Sequence, residues 1–401
     1  MSIGTALHPR TQALNKKMVW REWSGYFAAG VYADAIDIEY NAVREAAALF
    51  DVSPLFKYEV RGPDAVRLVD RVLPRDANKI RPDSVVYACW CDEDGKVLDD
   101  GTIARIGEQE FRWTAADPTL RWLRLNAHGL DVEVEEVSDS VAAIALQGPL
   151  SRKVLEASTG VSWGDLHYFG RRATTVGGVD VDVTRTGYTG DLGYELWVDA
   201  GNAVALWDAL WSAGAPYAIR PAGILALDVT RIEAGLILIE ADYTSARHAV
   251  SDEQRYSPDE IGLQRFVDVG KPGDFVGRRA IERERASGGP ARRLVGLEID
   301  WEGIQRLFAD HGLPPHVSAE ASREPIPLYV GSKQVGKATS TTWSPTLKKM
   351  IGLGSVAAGL ERPGTRLRAE WTVEGARSTV DAVVVNLPFF DPPRKRGTVA
   401  G

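Results

Sequence analysis

The sequence predicts an α+β protein whose last quarter is all β, and three observations carry that prediction. Helix and strand periodicities alternate over the first 140 residues. A fully apolar strand, 141–146, opens a second layer of the same kind. Beyond about residue 290 the text is strand and turn only, at regular spacing. A chain of 401 residues has room for two or three domains with ample core.

Trp20, Trp23, Tyr26 and Phe27 are too dense for a disordered tail. Residues 36–49 read as a helix, with Ala42, Val43, Ala46, Ala47 and Phe50 on one stripe. Asp51-Val-Ser-Pro54 breaks it, and 56–60 alternates as a strand. Gly62-Pro63 opens a second helix, since Pro suits the first turn, and Ala65, Val66, Val69, Val72 and Leu73 form its buried face. Residues 85–91 and 96–106 read as a hairpin about Asp94-Gly95. A strand at 111–115, a helix from Asp117-Pro118 and a strand at 131–136 complete a mixed sheet with helices on one face. Gln147-Gly148-Pro149 opens another helix, and 202–211 and 222–236 are helical. Residues 278–289 are charged, a solvated helix and linker. Strands at 294–299, 326–330, 334–341, 351–356, 367–371 and 380–385 make the terminal β domain. The basic Arg394-Lys-Arg396 reads as a solvated end.

Composition narrows function. A net charge of −8 argues against non-specific binding to nucleic acid or anionic membrane. Cys89 and Cys91 stand alone, which excludes a disulfide framework and a four-ligand zinc site, and the six histidines lack ligand spacing. No apolar run reaches transmembrane length, so the expectation is a cytoplasmic enzyme with neither nucleic-acid nor membrane partner. Twelve tryptophans fit an aromatic-lined site or ordinary core packing equally.

The organising stretch is Thr184-Arg-Thr-Gly-Tyr-Thr-Gly-Asp-Leu-Gly-Tyr-Glu-Leu196. Gly187, Gly190 and Gly193 recur every three residues between two runs that alternate like strands. Glycine permits left-handed backbone and close approach of another group. Tyr188, Tyr194 and Glu195 offer ring faces, a phenol and a carboxylate, a set able to hold a flat polar heterocycle. A Gly-rich hairpin turn with surface tyrosines accounts for the stretch equally well. It is not a phosphate loop, because no Gly-Lys-Ser/Thr follows. In Asp99-Asp100 neighbouring strand residues face opposite ways, so only one can enter a pocket; composition by itself favours reading both as edge-strand surface charges, and the same holds for Glu195. No Ser/His/Asp order, His-Glu-x-x-His or recognisable Cys nucleophile is present.

Several islands, in order, resemble the T-protein (aminomethyltransferase) family. They are Phe50-Asp-Val-Ser53, Lys96-Val-Leu-Asp-Asp100, Ala145-Leu-Gln-Gly-Pro149, the run from Arg185 to Glu195, and Arg220-Pro-Ala-Gly223 followed by Arg231-Ile-Glu-Ala-Gly235. Phe275-Val-Gly-Arg278, Ser344-Pro-Thr-Leu347 and Pro388-Phe-Phe390 extend the match into the β domain. The resemblance implies a three-domain cloverleaf around a central hole that holds tetrahydrofolate. Domain one would take 1–50 with 141–243, domain two 51–140 with 244–280, and the barrel-like β domain 290–401. It also implies one-carbon transfer to tetrahydrofolate, with Asp100 at the reacting edge and Glu195 accepting the pterin N–H groups. Tyr188, Tyr87 and Tyr168 would line the folate, and Thr114 and Arg231 would contact it.

The chain departs from the family pattern at Pro54-Leu55, where His-Met is usual, and at Leu227, where Arg is usual. Thr114 stands for the usual Asn, and 238–250 lacks the glycine-cleavage signature. Folate binding is therefore expected with an altered donor side. The expected partner is a small methylated amine, ether or sulfonium; Trp90, Trp113 and Phe56 would seat it if they face the hole, and are equally well read as core residues of their sheet. Two alternatives stand: an aminomethyltransferase served by a lipoyl carrier protein, and a non-enzymatic folate-binding protein of iron–sulfur maturation. No metal is expected.

Overall fold

Alternating apolar residues build two open sheets and one barrel in the computed structural model, which describes residues 2–398. The first sheet runs Arg171–Val176, Val179–Thr184, Gly193–Asp199, Val141–Gln147, Ala48–Asp51, Arg220–Pro221. One face, with Leu146, Val183, Leu196 and Val198, packs on the helices Ser151–Thr159 and Ala203–Gly214 through Leu155 and Trp207. The opposite face carries Phe50, Ala145 and Trp197, with Leu227 and Tyr188 packed on it. The helix expected at 36–49 stops at Glu45, and Ala48–Asp51 is a strand. Ala48, Leu49 and Phe50 pair with Gln147, Leu146 and Ala145 and are buried, so sheet pairing overrides the helical stripe.

The chain leaves this sheet after Asp51 and returns at Val141, having built the second sheet in between. Its order is Val85–Cys91, Val97–Gly107, Glu110–Ala115, Phe56–Arg61, Glu133–Glu136. The helices Ala65–Val72 and Leu120–Asn126 cover one face over a core of Tyr58, Trp90, Ile103 and Trp113. Strand alternation sends Tyr87, Thr102, Thr114 and Lys57 to the other face, where they form a row across four strands.

Six antiparallel strands then close a barrel: Arg292–Ile299, Lys349–Ala357, Lys333–Ser344, Ile326–Val330, Arg366–Val373, Ala376–Val385. It is not all β, because Trp301–Asp310 is a helix between its first two strands in sequence. Asp300 caps it by accepting from the Glu302 N–H at 3.1 Å, and Ile304 is buried against the barrel core, with Leu307 and Phe308 packed there too.

An apolar cluster joins all three units, drawing Cys89 and Val97 from the second sheet, Ile232 and Tyr243 from the segment after the first, and Ile351 and Leu353 from the barrel. Polar pins reinforce it. Buried Glu233 accepts from the Tyr40 hydroxyl at 2.6 Å, from Arg44 Nε at 2.9 Å and from the barrel's Ser344 at 2.5 Å. The basic C-terminal run is not a solvated end. Arg394 forks onto buried Asp191 at 2.7 Å through both Nε and Nη2. Buried Arg185 donates to the carbonyls of Leu166, Arg394, Lys395 and Gly397. Both partners belong to the glycine-rich stretch, which therefore anchors the tail. Among the described residues no helix is long and apolar enough to cross a membrane.

Candidate active site at the junction of the three units

The glycine-rich stretch links two antiparallel strands, and its glycines admit a group from the chain itself. A Cβ at Gly187 would lie 2.1 Å from Gln147 Oε1, and one at Gly193 would lie 2.3 Å from the same amide. Gln147 fills that space, donating to the Thr186 carbonyl at 3.2 Å and accepting from Thr189 Oγ1 at 2.8 Å. Gly190 alone of the three needs a left-handed backbone, at φ 78°. The stretch is thus a packed support that fixes Tyr188 and Glu195 at its two ends.

Glu195 is half-buried on the face shared with Trp197, two residues along the strand. Its Oε2 accepts from the Thr186 hydroxyl at 2.5 Å, and among the described residues no group donates to Oε1. Burial pushes its carboxyl above the usual range, while Thr186 and the nearby Arg112 charge pull it back. Tyr168 lies near Glu195, its phenol raised by burial above all.

Asp99 and Asp100 separate as strand alternation requires. Asp99 is fully buried beside its cross-strand neighbour Trp90, and its oxygens accept three backbone N–H groups: Asp100 at 2.7 Å, Asp117 at 2.9 Å and Ala116 at 3.0 Å. It holds the turn after strand Glu110–Ala115. Asp100 faces the junction. Its Oδ2 accepts from the Tyr87 hydroxyl and its Oδ1 from the Tyr243 hydroxyl, each at 2.5 Å. Burial raises the Asp100 carboxyl, and the two phenols oppose that rise by stabilising the anion. Tyr188 completes the group: its hydroxyl donates to the Ile237 carbonyl, and the Asp100 charge adds to the burial that raises its phenol. Tyr243 is the residue that sequence reasoning missed. It lies in a segment without regular structure, where no periodicity marks a side chain as inward-facing.

Three expectations are corrected. Trp90 and Trp113 are fully buried in the helix-covered core of the second sheet, edge to face at 4.9 Å, and Phe56 packs against the same core, so none of the three faces the junction with Asp100. Arg231 is fully buried, with Nε on Asp228 at 2.8 Å, Nη1 on Asp242 at 2.5 Å and on the Leu236 carbonyl at 3.2 Å, and Nη2 on the barrel's Ser340 at 2.8 Å. It is a structural clamp with no arm toward a ligand. Thr114 does sit on the junction face, but its hydroxyl is held by Thr102, 2.6 Å from that side-chain hydroxyl and donating to the Thr102 carbonyl at 3.0 Å.

The arrangement is a carboxylate with one oxygen unbonded among the described residues and a second carboxylate framed by phenols, a candidate site where the two sheets and the barrel meet. The comparisons name its family. Residues 7–271 match the GCVT N-terminal domain and residues 292–391 the glycine cleavage T-protein C-terminal barrel domain. The chain belongs to this family, which is folate-dependent in general, and is an enzyme of the one-carbon transferase type. It is 35% identical to an aminomethyltransferase of Moorella thermoacetica over 98% of both chains, and 36% identical to one of Symbiobacterium thermophilum, again over 98% of each. It is also 35% identical to a trimethylamine-oxide aldolase of Ruegeria pomeroyi, covering 99% of this chain but spanning only 48% of that relative's length. The fold matches the glycine cleavage system aminomethyltransferase T of Bartonella henselae, with a TM-score of 0.82 over 98% of this chain and 99% of that one, at 24% identity.

Proposed function

We propose that the junction binds tetrahydrofolate and that the enzyme moves a methyl or methylene group onto it from a small methylated donor. Asp100, with both oxygens held by phenols from two different segments, is the observation that carries this reading. The two phenols favour the ionised form of this carboxylate against the pull of burial, and in that form it can stabilise a positive centre or take a proton.

Tetrahydrofolate would supply the nitrogen that accepts the one-carbon unit. The residues present suit it. The free Glu195 oxygen gives the pterin N–H groups an acceptor, and Tyr168 and Tyr188 give its rings flat neighbours. Asp100 would face the reacting edge from the opposite wall, where Tyr87 and Tyr243 fix its oxygens in place. The apolar patch of Phe50, Leu227 and Trp197 beside Tyr188 would keep water from that edge.

The donor reading rests on the same walls. Tyr87 and Tyr188 lie beside the Asp100 anion with partly exposed rings, and Leu227 is buried on apolar neighbours where the family pattern has an arginine. Rings around a carboxylate suit a methylated onium centre, through cation–π attraction and charge. The full-length match to the Moorella aminomethyltransferase supports the second reading, a donor carried on a lipoyl protein. A donor panel with tetrahydrofolate, scoring methyl- and methylene-tetrahydrofolate by mass, decides between them. Transfer from free methylated amines, ethers or sulfoniums is the expected result. Transfer from aminomethyl-lipoyl carrier protein alone would establish the second reading.

A further inference from the structure

Arg112 crosses from the second sheet to the first. Buried on the junction face of strand Glu110–Ala115, it stacks its guanidinium over the Trp197 ring, 4.4 Å from the centroid. It also pairs with Asp182 at 2.7 Å, and Arg171 pairs with the other Asp182 oxygen at 2.7 Å. Both contacts are largely buried ion pairs.

Trp197 in turn starts a one-way chain of donors. Its indole N–H, which can only donate, meets Thr184 Oγ1 at 3.3 Å; Thr184 and Thr186 hydroxyls are 2.8 Å apart; and Thr186 donates to Glu195 Oε2 at 2.5 Å. Thr184 accepts from the indole and can pass its own proton either to Thr186 or to the Glu195 carbonyl at 3.4 Å, while the short Thr186 bond at 2.5 Å makes the Glu195 carboxylate the acceptor at the end of the chain. We propose that Arg112 and Trp197 are positioning residues that hold Glu195 as an oriented, ionised acceptor for the pterin. This rests on the reading that Glu195 binds folate. Neither residue reaches the reacting atoms; both act through Glu195.

Other charged or titratable groups near the pair are Asp182, Arg171, Lys57 and Tyr168. Of these, Lys57 spends two N–H groups on the Ser53 and Leu55 carbonyls, at 2.6 and 2.7 Å. Arg112 is thus the cation placed to act on Glu195, and its charge lowers the Glu195 carboxyl against the pull of burial. Removing it lets that carboxyl rise, so protonation sets in at higher pH.

The test is the pH profile of tetrahydrofolate affinity, by calorimetry, for the full-length enzyme and for Arg112→Met, Arg112→Lys, Trp197→Phe and Glu195→Gln. The expected result is an acid-side loss of affinity that begins at higher pH in Arg112→Met and Trp197→Phe, with Arg112→Lys nearer the parent. Glu195→Gln should lack the acid-side loss. If Arg112→Met and Trp197→Phe weaken binding equally at every pH, the inference is overturned while the Glu195 reading stands. If Glu195→Gln binds like the parent with the same profile, the folate reading itself fails. Thermal melts identify any variant that is poorly folded, and Arg112→Lys then carries the comparison.

Discussion

Tyr243→Phe removes one of the two phenols that hold Asp100 and nothing else. Tyr243 is buried with its hydroxyl on Asp100 Oδ1 at 2.5 Å, and phenylalanine keeps the ring that packs among Cys89, Ile237 and Leu353. A hydrogen bond to a charged group contributes about 1.5–3 kcal/mol, and it stabilises only the ionised carboxylate. At about 1.36 kcal/mol per pKa unit, its loss raises the Asp100 carboxyl by roughly one to two units. The sign follows from what already acts there. Burial lifts Asp100, Asp242 adds to the rise, and Tyr243 and Tyr87 hold it down. Asp99, on the other side of the strand, has its own carboxyl raised by burial and by the Asp100 charge. If turnover needs ionised Asp100, activity falls as pH drops through its folded pKa. In Tyr243→Phe that fall begins about one to two pH units higher, while the alkaline plateau stays near the parent's. The assay is kcat/KM against pH for one-carbon transfer to tetrahydrofolate. An unmoved acid limb would refute the role given to the phenol pair.

Further variants separate structure from function. Asp100→Asn should lower turnover by two to four decades in order of magnitude while tetrahydrofolate affinity changes only a few-fold. Asp99→Asn should leave the folded enzyme's affinity intact and lower Tm, by a stability loss of about 1.5–3 kcal/mol, because it weakens the three backbone bonds at Asp117, Ala116 and Asp100. Trp113→Ala should destabilise by about 3–5 kcal/mol as a core cavity, read by urea unfolding, without a selective rise in donor KM. Arg231→Met should cost about 3–5 kcal/mol, since it leaves buried Asp242 without a cation and Asp228 with Arg323 alone; a weakened folate affinity in protein that remains folded would contradict its structural assignment.

The sequence carried the local half of this site. Period-two alternation separates Asp99 from Asp100 and puts Glu195 with Trp197, because side-chain direction along one strand needs no knowledge of partners. It could not show which face of the second sheet the helices would cover. That depends on Ala65–Val72 and Leu120–Asn126 docking beside Trp90 and Trp113, which left the tryptophans open to misplacement. Arg112, Tyr243 and Arg394 act across units, on Asp182, Asp100 and Asp191, and such long-range pairings leave no local pattern. The Trp301–Asp310 helix was readable from its Asp300 cap and the Ile304, Leu307 and Phe308 stripe, but it is short and embedded in strand text.

Binding of tetrahydrofolate at Glu195 is the claim on which the rest depends, and calorimetric titration of tetrahydrofolate into the parent enzyme and Glu195→Gln tests it most directly. The glutamine keeps the size and one acceptor oxygen but removes the charge that the pterin N–H groups would meet. The expected loss is about 1.5–3 kcal/mol, on the order of ten- to a hundredfold in Kd, with an unchanged melting profile. Equal affinity in the two proteins, at matched pH and full folding, would contradict it.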